Sequence, residues 1–351
     1  MDSTVTRAAR AAKGGRGKAV PKVTITAVAE HAGVSPSTVS YVLSGNRSIS
    51  SETQARVRRS IKALDYRPHA GARALRAGKT GVIALAEPFY DWSSEPVLMP
   101  YVYGVVDEAR RHSWNVMPLT SRGEGSEIDE VVGGKMVDGV ILMEVRVGDE
   151  RLRAIERLPV AAVCLGMPSE PTEVPYVDFD FEGAGRLAVE HLVGLGHRRI
   201  ALLASPPGTF KKKLGYARRF RLGVTSALRA AGLAFNGVAM EPSMDGVEEA
   251  LEAVFRKDPE TSAIIVHNEG AIDLLMQGLG RRGRAVPTDV SVLSVGWGEL
   301  TKHLSPPLSY IDVPSVQMGR AAVDLLGAGG PARLLPASVV AGGTVAAARE
   351  G

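Results

Sequence analysis

Two hydrophobic patterns follow one another along the chain. Between residues 23 and 66, apolar positions recur every three or four residues in short segments, as in small amphipathic helices. Beyond residue 80, runs rich in Val, Ile and Leu alternate with longer amphipathic stretches. Continuous apolar runs are typical of strands buried on both faces, so this part of the chain predicts parallel sheets with crossover helices.

The predicted strands of the longer part are short and bounded by turn residues. They are the runs GVIALAEPF, NVMPLT, GVILMEV, PVAAVCLG, RIALLAS, SAIIVHN and VSVLSVG. Helices are predicted for the stretches PYVYGVVDEARRHS, GAGRLAVEHLVGLG and FRLGVTSALRAAG. About 270 residues with so many strands favour two doubly wound α/β lobes over one.

The N-terminal segments carry the start and stop signals of three helices. Thr24 is expected to cap the first helix and Gly33 to end it. Ser35 then caps a second helix with Pro36 at its first position, where the missing N–H costs nothing. Ser50 is expected to cap the third. A tight Gly-containing turn between the first two of three helices predicts a helix-turn-helix unit.

The second of these helices has a polar outer face. Val39 and Leu43 are expected to point toward the core. The residues expected to point outward are Ser37, Ser40, Tyr41 and Ser44. Hydroxyls and a phenol suit the major groove of DNA, where Pro36, Ser37 and Tyr41 are candidates for base contacts. The cap serine and the amides of the first turn are candidates for phosphate contacts.

Charge is distributed unevenly between the two parts. Residues 1–79 contain 15 Lys and Arg against 4 Asp and Glu, a balance of +11, and the rest of the chain carries −7. Residues 1–22 hold six of these basic residues, one acid and no apolar period, so they are expected to form a disordered basic tail. A small basic module joined to a large acidic one is typical of a domain that binds a polyanion, such as a nucleic acid, joined to a second domain with another role.

One long stretch carries a family resemblance. VTITAVAEHAGVSPSTVSYVLSGNRSISSETQARVRRSIKALDYRPHAGARALRAGKTGVIAL resembles the N-terminal region of the lactose-repressor (LacI/GalR) family of bacterial transcription regulators. Later stretches follow in the family's order: GAGRLAVEHLVGLGHRRIALL, AIIVHNEGAIDLLMQGL, VPTDVSVLSVG and SPPLSYIDVPSVQMGRAAVDLL. The resemblance implies an all-α helix-turn-helix headpiece, a hinge, and an α/β two-lobed effector domain of the periplasmic-binding-protein type that dimerises. The expected divisions are residues 1–22 for the tail, 23–68 for the headpiece, 69–79 for the hinge and 80–351 for the effector domain.

The resemblance also implies which residues contact double-stranded DNA. Many family members have arginine at the position of Tyr41, so the operator sequence of a relative does not predict the one that this chain binds. Leu75 takes the position of a hinge leucine that wedges between base pairs in the minor groove. The expected DNA contacts are Ile25, Thr26, Ser35, Pro36, Ser37, Thr38, Ser40, Tyr41, Ser44, Asn46, Ser50, Thr53, Tyr66, His69, Arg73, Leu75 and Arg76.

A small-molecule effector is expected in the cleft between the lobes, at the carboxyl ends of parallel strands. Aromatic and polar side chains cluster in sequence at those ends and are the candidate contacts. They are Phe89, Tyr90, Asp91, Trp92, Phe179, Asp180, Asn268, Glu269 and Trp297, and Phe220 joins them because it stands where the family's sugar binders usually carry an arginine.

The chain departs from the family's sugar-binding pattern at two positions. Sugar binders usually carry an arginine where this chain has Phe220, and an aspartate where it has Gly296 and Trp297. Loss of a bidentate arginine and its acid removes the groups best suited to vicinal hydroxyls. The sequence therefore predicts an effector that is not a typical hexose.

The sequence carries no motif of an enzyme: it has no Walker loop, no G-x-G-x-x-G after the first α/β strand, no H-E-x-x-H and no G-x-S-x-G. The seven histidines lack ligand spacing and Cys164 lies in an apolar run, so no metal and no cofactor are expected. With no apolar run of membrane length and no secretion signal, the expected location is the cytoplasm, at the nucleoid, without a membrane partner.

These observations predict a homodimeric transcription regulator. It is expected to be a repressor that binds a pseudo-palindromic operator and is modulated by a small molecule. Two alternatives stay open at this point: a cytoplasmic α/β small-molecule enzyme, or a solute-binding protein, with a basic N-terminal extension in either case.

Overall fold

The computed structural model describes residues 23–44, 47–66, 79–88, 95–120, 125–296 and 304–349. The chain forms two compact units, residues 1–78 and residues 79–351. Within the described ranges, no helix combines the length and the apolar character needed to cross a membrane.

The smaller unit contains three short helices, α1 (Ile25–Ala32), α2 (Pro36–Ser44) and α3 (Ser51–Ala63). Their predicted start and stop signals are confirmed. Thr24 Oγ1 accepts a hydrogen bond from the Ala27 amide at 3.3 Å, and Gly33 ends α1 in the left-handed conformation with φ +62°. Ser50 caps α3 by accepting from the Thr53 amide.

A small apolar core holds the three helices together. Its buried members are Val28, Ala29, Ala32, Val39 and Val57. The prediction that Leu43 points inward is wrong, because 41% of its surface is exposed. Val42, three residues after Val39 and not four, packs against this core in its place.

The larger unit is an α/β structure, as predicted. Its strands are β1 (Val82–Ala86), β2 (Asn115–Leu119), β3 (Gly139–Met143), β4 (Ala161–Leu165), β5 (Tyr176–Phe179), β6 (Ile200–Ala204), β7 (Asn236–Ala239), β8 (Ala263–Val266), β9 (Ser291–Val295), β10 (Ser309–Asp312), β11 (Arg333–Leu335) and β12 (Ser338–Val340). Its α-helices are α4 (Glu95–Arg111), α5 (Ser126–Gly133), α6 (Glu150–Glu156), α7 (Phe181–Gly194), α8 (Pro207–Lys211), α9 (Gly215–Ala230), α10 (Met244–Lys257), α11 (Ile272–Arg281) and α12 (Ser315–Ala328).

The strands form two six-stranded sheets, one in each lobe. Their strand orders are β11-β5-β4-β3-β1-β2 and β12-β10-β9-β8-β6-β7. The pairings are parallel, except that β12 runs antiparallel to β10. The chain passes from one lobe to the other after β5, after β10 and between β11 and β12, so the carboxyl ends of β5 and β10 lie where the lobes join.

Each lobe contains a pair of helices that cross in close contact at glycines. In the first lobe, a methyl group at Gly104 of α4 would overlap the backbone carbonyl of Val316 in α12, and one at Gly319 would overlap the carbonyl of Tyr101. In the second lobe, α7 and α9 repeat this arrangement. Methyl groups at Gly185 and Gly223 would overlap the carbonyls of Phe220 and Glu182, respectively.

Replacing Gly104 with Ala should therefore destabilise the first lobe. The added methyl group meets rigid backbone, so we expect a loss of about 1–3 kcal/mol, as for other overpacked interiors. Gly280→Ala is the matched control: Gly280 also lies in a helix, α11, but its Cβ position is open. That change should stabilise the protein by up to about 1 kcal/mol. Urea unfolding midpoints measure both, and equal effects of the two variants would contradict the close crossing.

Candidate functional site

A cavity of about 140 Å³ lies between the lobes, at the carboxyl ends of both sheets. The first lobe contributes the ends of β3, β4 and β5, and the second contributes the ends of β6 and β8. The described residues that line the cavity are Val97, Leu98, Tyr101, Met143, Glu144, Val145, Leu165, Gly166, Met167, Asp178, Phe181, Ser205, Pro206, Thr209, Tyr216, Arg219, His267, Asn268, Glu269, Gly270, Val313 and Met318.

An ion pair across the cavity joins the two lobes. Arg219 of α9 donates through Nη2 to Asp178 Oδ2 at the end of β5, and through Nη1 to the Met167 carbonyl at 3.2 Å. Asp178 Oδ2 also accepts from the Met167 amide at 2.7 Å. Burial raises the pKa of Asp178, and Arg219 opposes this rise by stabilising the carboxylate.

The arginine and the acid that are missing from the two sugar-binding positions thus have counterparts elsewhere in this cleft. Arg219, one residue before Phe220, brings a guanidinium into the cavity. At Gly296, the Glu269 side chain lies against the Cα atom, in the space that a Cβ would need. Both chemical groups are thus present, and each comes from a residue next to the expected position in sequence or in space.

One wall of the cavity is aromatic. The rings of Phe181 and Tyr216 have centroids 5.4 Å apart, and each lies 5.8 Å from the His267 ring. Burial lowers the pKa of His267 to about 3, so its imidazole is neutral at pH 7.

Three predicted effector contacts do not line the cavity. Phe179 and Phe220 are fully buried behind the aromatic wall, where Phe220 packs 4.4 Å from the His267 ring and Phe179 packs edge-on to Phe181. Asp180 instead caps α7 by accepting from the Gly183 amide at 2.8 Å. Strand-end position selected Phe179 and Asp180, and the family resemblance selected Phe220, but these side chains point into the core or back to their own helix.

Asn268 and Glu269 are the predicted contacts that do line the cavity. The Asn268 side chain is held by donation from Nδ2 to the Met240 carbonyl at 2.7 Å. The remaining predicted contacts, Phe89, Tyr90, Asp91, Trp92 and Trp297, lie outside the described residues.

Two further carboxyl groups in the cavity have raised pKa values. Burial, reinforced by repulsion from Glu87, raises the pKa of Glu144 to about 8. Burial alone raises the pKa of Glu269 to about 7. Glu144 also has a left-handed backbone with φ +50°, which is uncommon for a residue other than glycine and is typical of functional sites.

Several residues that line this cavity were not predicted from the sequence. Glu144 follows β3 directly, so the strand-end rule could have found it. Tyr101, Tyr216 and Arg219 lie on helices, where no rule based on strand ends applies. Met318, on α12, reaches the site from the far end of the sequence.

His112 lies beside two acids on the first lobe. Potential ligand atoms of Glu108, His112 and Asp324 lie within 4.8 Å of one another. Glu108 is ion-paired with Arg111 at 3.0 Å, and His112 contacts Asp324 at 3.1 Å. These local contacts account for the cluster without an ion.

The second candidate site is the N-terminus of α2 in the smaller unit. Ser35 Oγ accepts from the Thr38 amide at 3.2 Å and lies 3.0 Å from Ser37 Oγ. Ser37 and Pro36 are exposed, and Val39 beneath them is fully buried. The first turn of α2 thus presents hydroxyl groups and a proline ring to the surroundings.

An arginine adjoins the phenol of α2. The Arg47 guanidinium lies 5.6 Å from the centre of the Tyr41 ring, in cation–π geometry. Arg47 was not among the predicted contacts. It brings a positive charge to Tyr41, the position at which many family members have arginine.

The other predicted DNA contacts are distributed around this unit. Thr26 is exposed, whereas Ile25 and Tyr66 pack partly against the core. Ser50 and Thr53 are joined at the start of α3 by a 2.9 Å hydrogen bond between their hydroxyls. Asn46, His69, Arg73, Leu75 and Arg76 lie outside the described residues, as does the side chain of Ser44; Ser40 is half-buried.

A helix-turn-helix unit and a two-lobed α/β unit in one chain define the class of bacterial transcription regulators with a periplasmic-binding-protein-like domain. Residues 24–69 match the profile of the bacterial regulatory proteins of the lacI family, and residues 189–344 match that of the periplasmic binding protein-like domain. The chain belongs to the lacI family and is a DNA-binding transcriptional regulator.

Two known regulators and a solved repressor structure match most of the chain. The HTH-type transcriptional regulator CelR of Thermobifida fusca is 30% identical over 86% of this chain and 90% of its own length. Catabolite control protein A of Priestia megaterium is 29% identical over 87% and 91%, respectively. Among solved structures, a lac repressor dimer bound to operator and the anti-inducer ONPF superposes with a TM-score of 0.80 and 26% identity, over 93% of this chain and 99% of that one.

The raised pKa of Glu144 has a consequence for stability. The folded state holds the Glu144 proton more tightly than the unfolded chain, where the ordinary pKa is 4.5. This contribution to stability is fully present below about pH 4.5 and is lost as the pH rises through about 8. In Glu144→Gln the side chain stays uncharged at every pH and has nearly the same shape as protonated Glu. The variant should therefore raise the melting temperature at pH 9 by about 2 °C or more.

At pH 5 the same variant should melt close to the wild type, because Glu144 is then protonated. Glu249→Gln, on the exposed face of α10, is the control and should change the melting temperature little at either pH. A stabilisation by Glu144→Gln that is the same at pH 5 and pH 9 would argue against a raised pKa.

Proposed function

We propose that this regulator is a repressor that binds a pseudo-palindromic operator as a homodimer. A small molecule in the cleft between the lobes then raises or lowers its affinity for the operator. We place it in the cytoplasm, at the nucleoid. The observation that carries the proposal is the exposed first turn of α2, where Pro36 and Ser37 stand over the buried Val39.

The chemistry of α2 suits the major groove. Free amides at a helix N-terminus hold phosphate, and short hydroxyls approach base edges closely. The proline ring and the Tyr41 ring suit a thymine methyl group. Arg47, stacked on Tyr41, adds a donor for phosphate or for guanine. We assign base contacts to Pro36, Ser37 and Tyr41, and backbone or groove contacts to Ser40, Ser44, Ser50 and Thr53.

Residues 69–79 are proposed as the hinge. The family resemblance places Leu75 as the minor-groove wedge, and Arg73 and Arg76 as its flanking cations. Inserting such a wedge costs a few kcal/mol of base stacking, which contacts made by the bent DNA offset.

The cleft supports regulation by a ligand. Arg219 and Asp178 belong to different lobes, so a ligand that competes for either group changes how the lobes are held. Such a ligand acts only through its differential affinity for the two arrangements. One related structure, of CelR, is a complex with cellobiose, which supports an effector in this class of cleft.

Selection from a random DNA library tests the DNA-binding function. Full-length protein should enrich a two-fold symmetric site, because a symmetric dimer presents two copies of α2. Its affinity for that site should fall steeply with salt, by about tenfold or more between 50 and 200 mM. An enriched site without symmetry, or binding indifferent to salt, would overturn the proposal.

The variant Tyr41→Ala tests the base contact assigned to Tyr41. Loss of one base contact should weaken binding to the selected site by about tenfold and relax the preference at one position of each half-site. Binding to a scrambled sequence should change little, because phosphate contacts remain. An equal loss on both sequences would place Tyr41 on the backbone.

An exposed apolar stripe on α4 supports the homodimer. Met99, Tyr103 and Val106 recur at helical spacing on one face, with 50, 59 and 48% of their surfaces exposed. Side chains of this size are seldom left in water together, and a symmetric copy is the commonest partner. We propose that α4 packs against the same helix of a second copy.

Tyr103→Glu should then disrupt the dimer. A charge at the centre of the stripe would be desolvated without a partner, so we expect monomers at micromolar concentration in sedimentation velocity. Gln277→Glu, which puts the same charge on exposed α11, should leave the dimer intact. Dimers of unchanged affinity in the Tyr103 variant would show that the contact lies elsewhere.

A further inference from the structure

The charges in the cavity are unbalanced. Among the lining residues that the structure describes, three are acids, Glu144, Asp178 and Glu269, and one is a permanent cation, Arg219. Arg219 is ion-paired with Asp178. Glu144 and Glu269 have no ion pair with any described residue.

Among the residues that the structure describes, none donates a hydrogen bond to Oε2 of Glu144. This oxygen is buried, whereas the backbone carbonyl of Glu144 accepts from Arg151 Nη2 at 3.0 Å. Arg151 is itself paired with Asp149 at 2.8 Å, and its charge only partly offsets the rise that burial causes in the pKa of Glu144. A buried carboxyl oxygen without a donor is costly, and a bound donor would remove that cost.

Glu269 approaches the same space from the second lobe. Its side chain packs over Gly296, where any larger residue would displace it. Burial raises the pKa of the Tyr101 and Tyr216 hydroxyls, and the charges of Glu144 and Glu269 raise it further, so the two carboxyl groups act on one shared region of the cavity.

The remaining wall suits an organic cation. Phe181 and Tyr216 present ring faces and edges beside the neutral His267. Aromatic faces attract cations electrostatically, most strongly where water is excluded. Carboxyl groups beside aromatic rings are the usual combination for binding an ammonium group and its carbon skeleton.

We propose that the cavity binds a small protonated amine, with the ammonium group held by Glu144 and Glu269 and the carbon skeleton packed against Phe181 and Tyr216. This inference rests on the proposed effector-binding function. The competing occupant is a neutral polyol, which would take hydrogen bonds from the two carboxyl groups in their protonated form.

Matched pairs of probes separate these occupants. Calorimetric titration of the full-length protein at pH 7 compares glucosamine with glucose, phenethylamine with 2-phenylethanol, and putrescine with 1,4-butanediol. We expect at least one amine to bind about tenfold or more tightly than its hydroxyl counterpart, as for a charge-assisted hydrogen bond. Absence of any preference for the amine across the three pairs overturns the proposal.

Substitutions assign the preference to the two carboxyl groups. In Glu144→Gln and Glu269→Gln the amine should lose most of its advantage, while the affinity for the hydroxyl counterpart changes less. Glu249→Gln, on the surface, should keep the full preference. Melting curves at pH 7 establish that each variant is folded. An amine preference that survives both cavity substitutions places the cation elsewhere and overturns the assignment.

A DNA readout separates this inference from the function on which it rests. If an amine binds with the expected preference but leaves operator affinity unchanged, the ligand class stands and regulation through the cleft fails. If a hydroxyl counterpart alters operator affinity and the amine does not, regulation stands and the cationic ligand is wrong.

Discussion

The two glycine crossings are the constraint on which the effector cavity depends. Because Gly104 and Gly319 let α4 and α12 meet backbone to backbone, Tyr101 and Met318 reach the cavity from helices that are far apart in sequence. The crossing of α7 and α9 does the same for Phe181, Tyr216 and Arg219 in the second lobe. A methyl group at any of the four glycines would overlap a backbone carbonyl, so backbone contact and not adaptable side chains sets the spacing of these helices.

That rigidity gives the cavity its unusual electrostatics. Burial raises the pKa of the Glu144 carboxyl group to about 8 and that of the Glu269 carboxyl group to about 7. Arg219 would relieve either acid, but Asp178 already neutralises it. A cleft lined in this way favours positively charged ligands. Without a ligand, the stability of the protein depends on whether these carboxyl groups are ionised.

The sequence predicted the architecture well where hydrophobic pattern and local chemistry agree. All seven predicted strands of the larger unit are present, and Thr24, Gly33 and Ser50 act as the caps and stop that their side chains indicate. The strands it missed, β5, β7, β10, β11 and β12, are three or four residues long, and most include polar residues. They exist because neighbouring strands supply hydrogen bonds, which no local pattern records.

The site was predicted less well, for a related reason. Strand-end position located Asn268 and Glu269, but it also selected Phe179, and the family resemblance selected Phe220; both rings support the wall from behind. Whether a side chain faces a cavity or the core depends on helix crossings between distant segments. Arg219 brings a guanidinium group into the cavity from the position just before Phe220 on α9, and the sequence motif alone does not show which of these neighbouring side chains faces the cavity.

The order of strands also bears on how the protein is made. Neither sheet has its full set of strands until residues 333–340 have been synthesised, because β11 completes the first and β12 completes the second. The helix-turn-helix unit, by contrast, is closed by contacts within residues 24–66. On the ribosome the DNA-reading unit can therefore fold early, while both lobes stay incomplete and expose apolar strand surface until the last segment emerges.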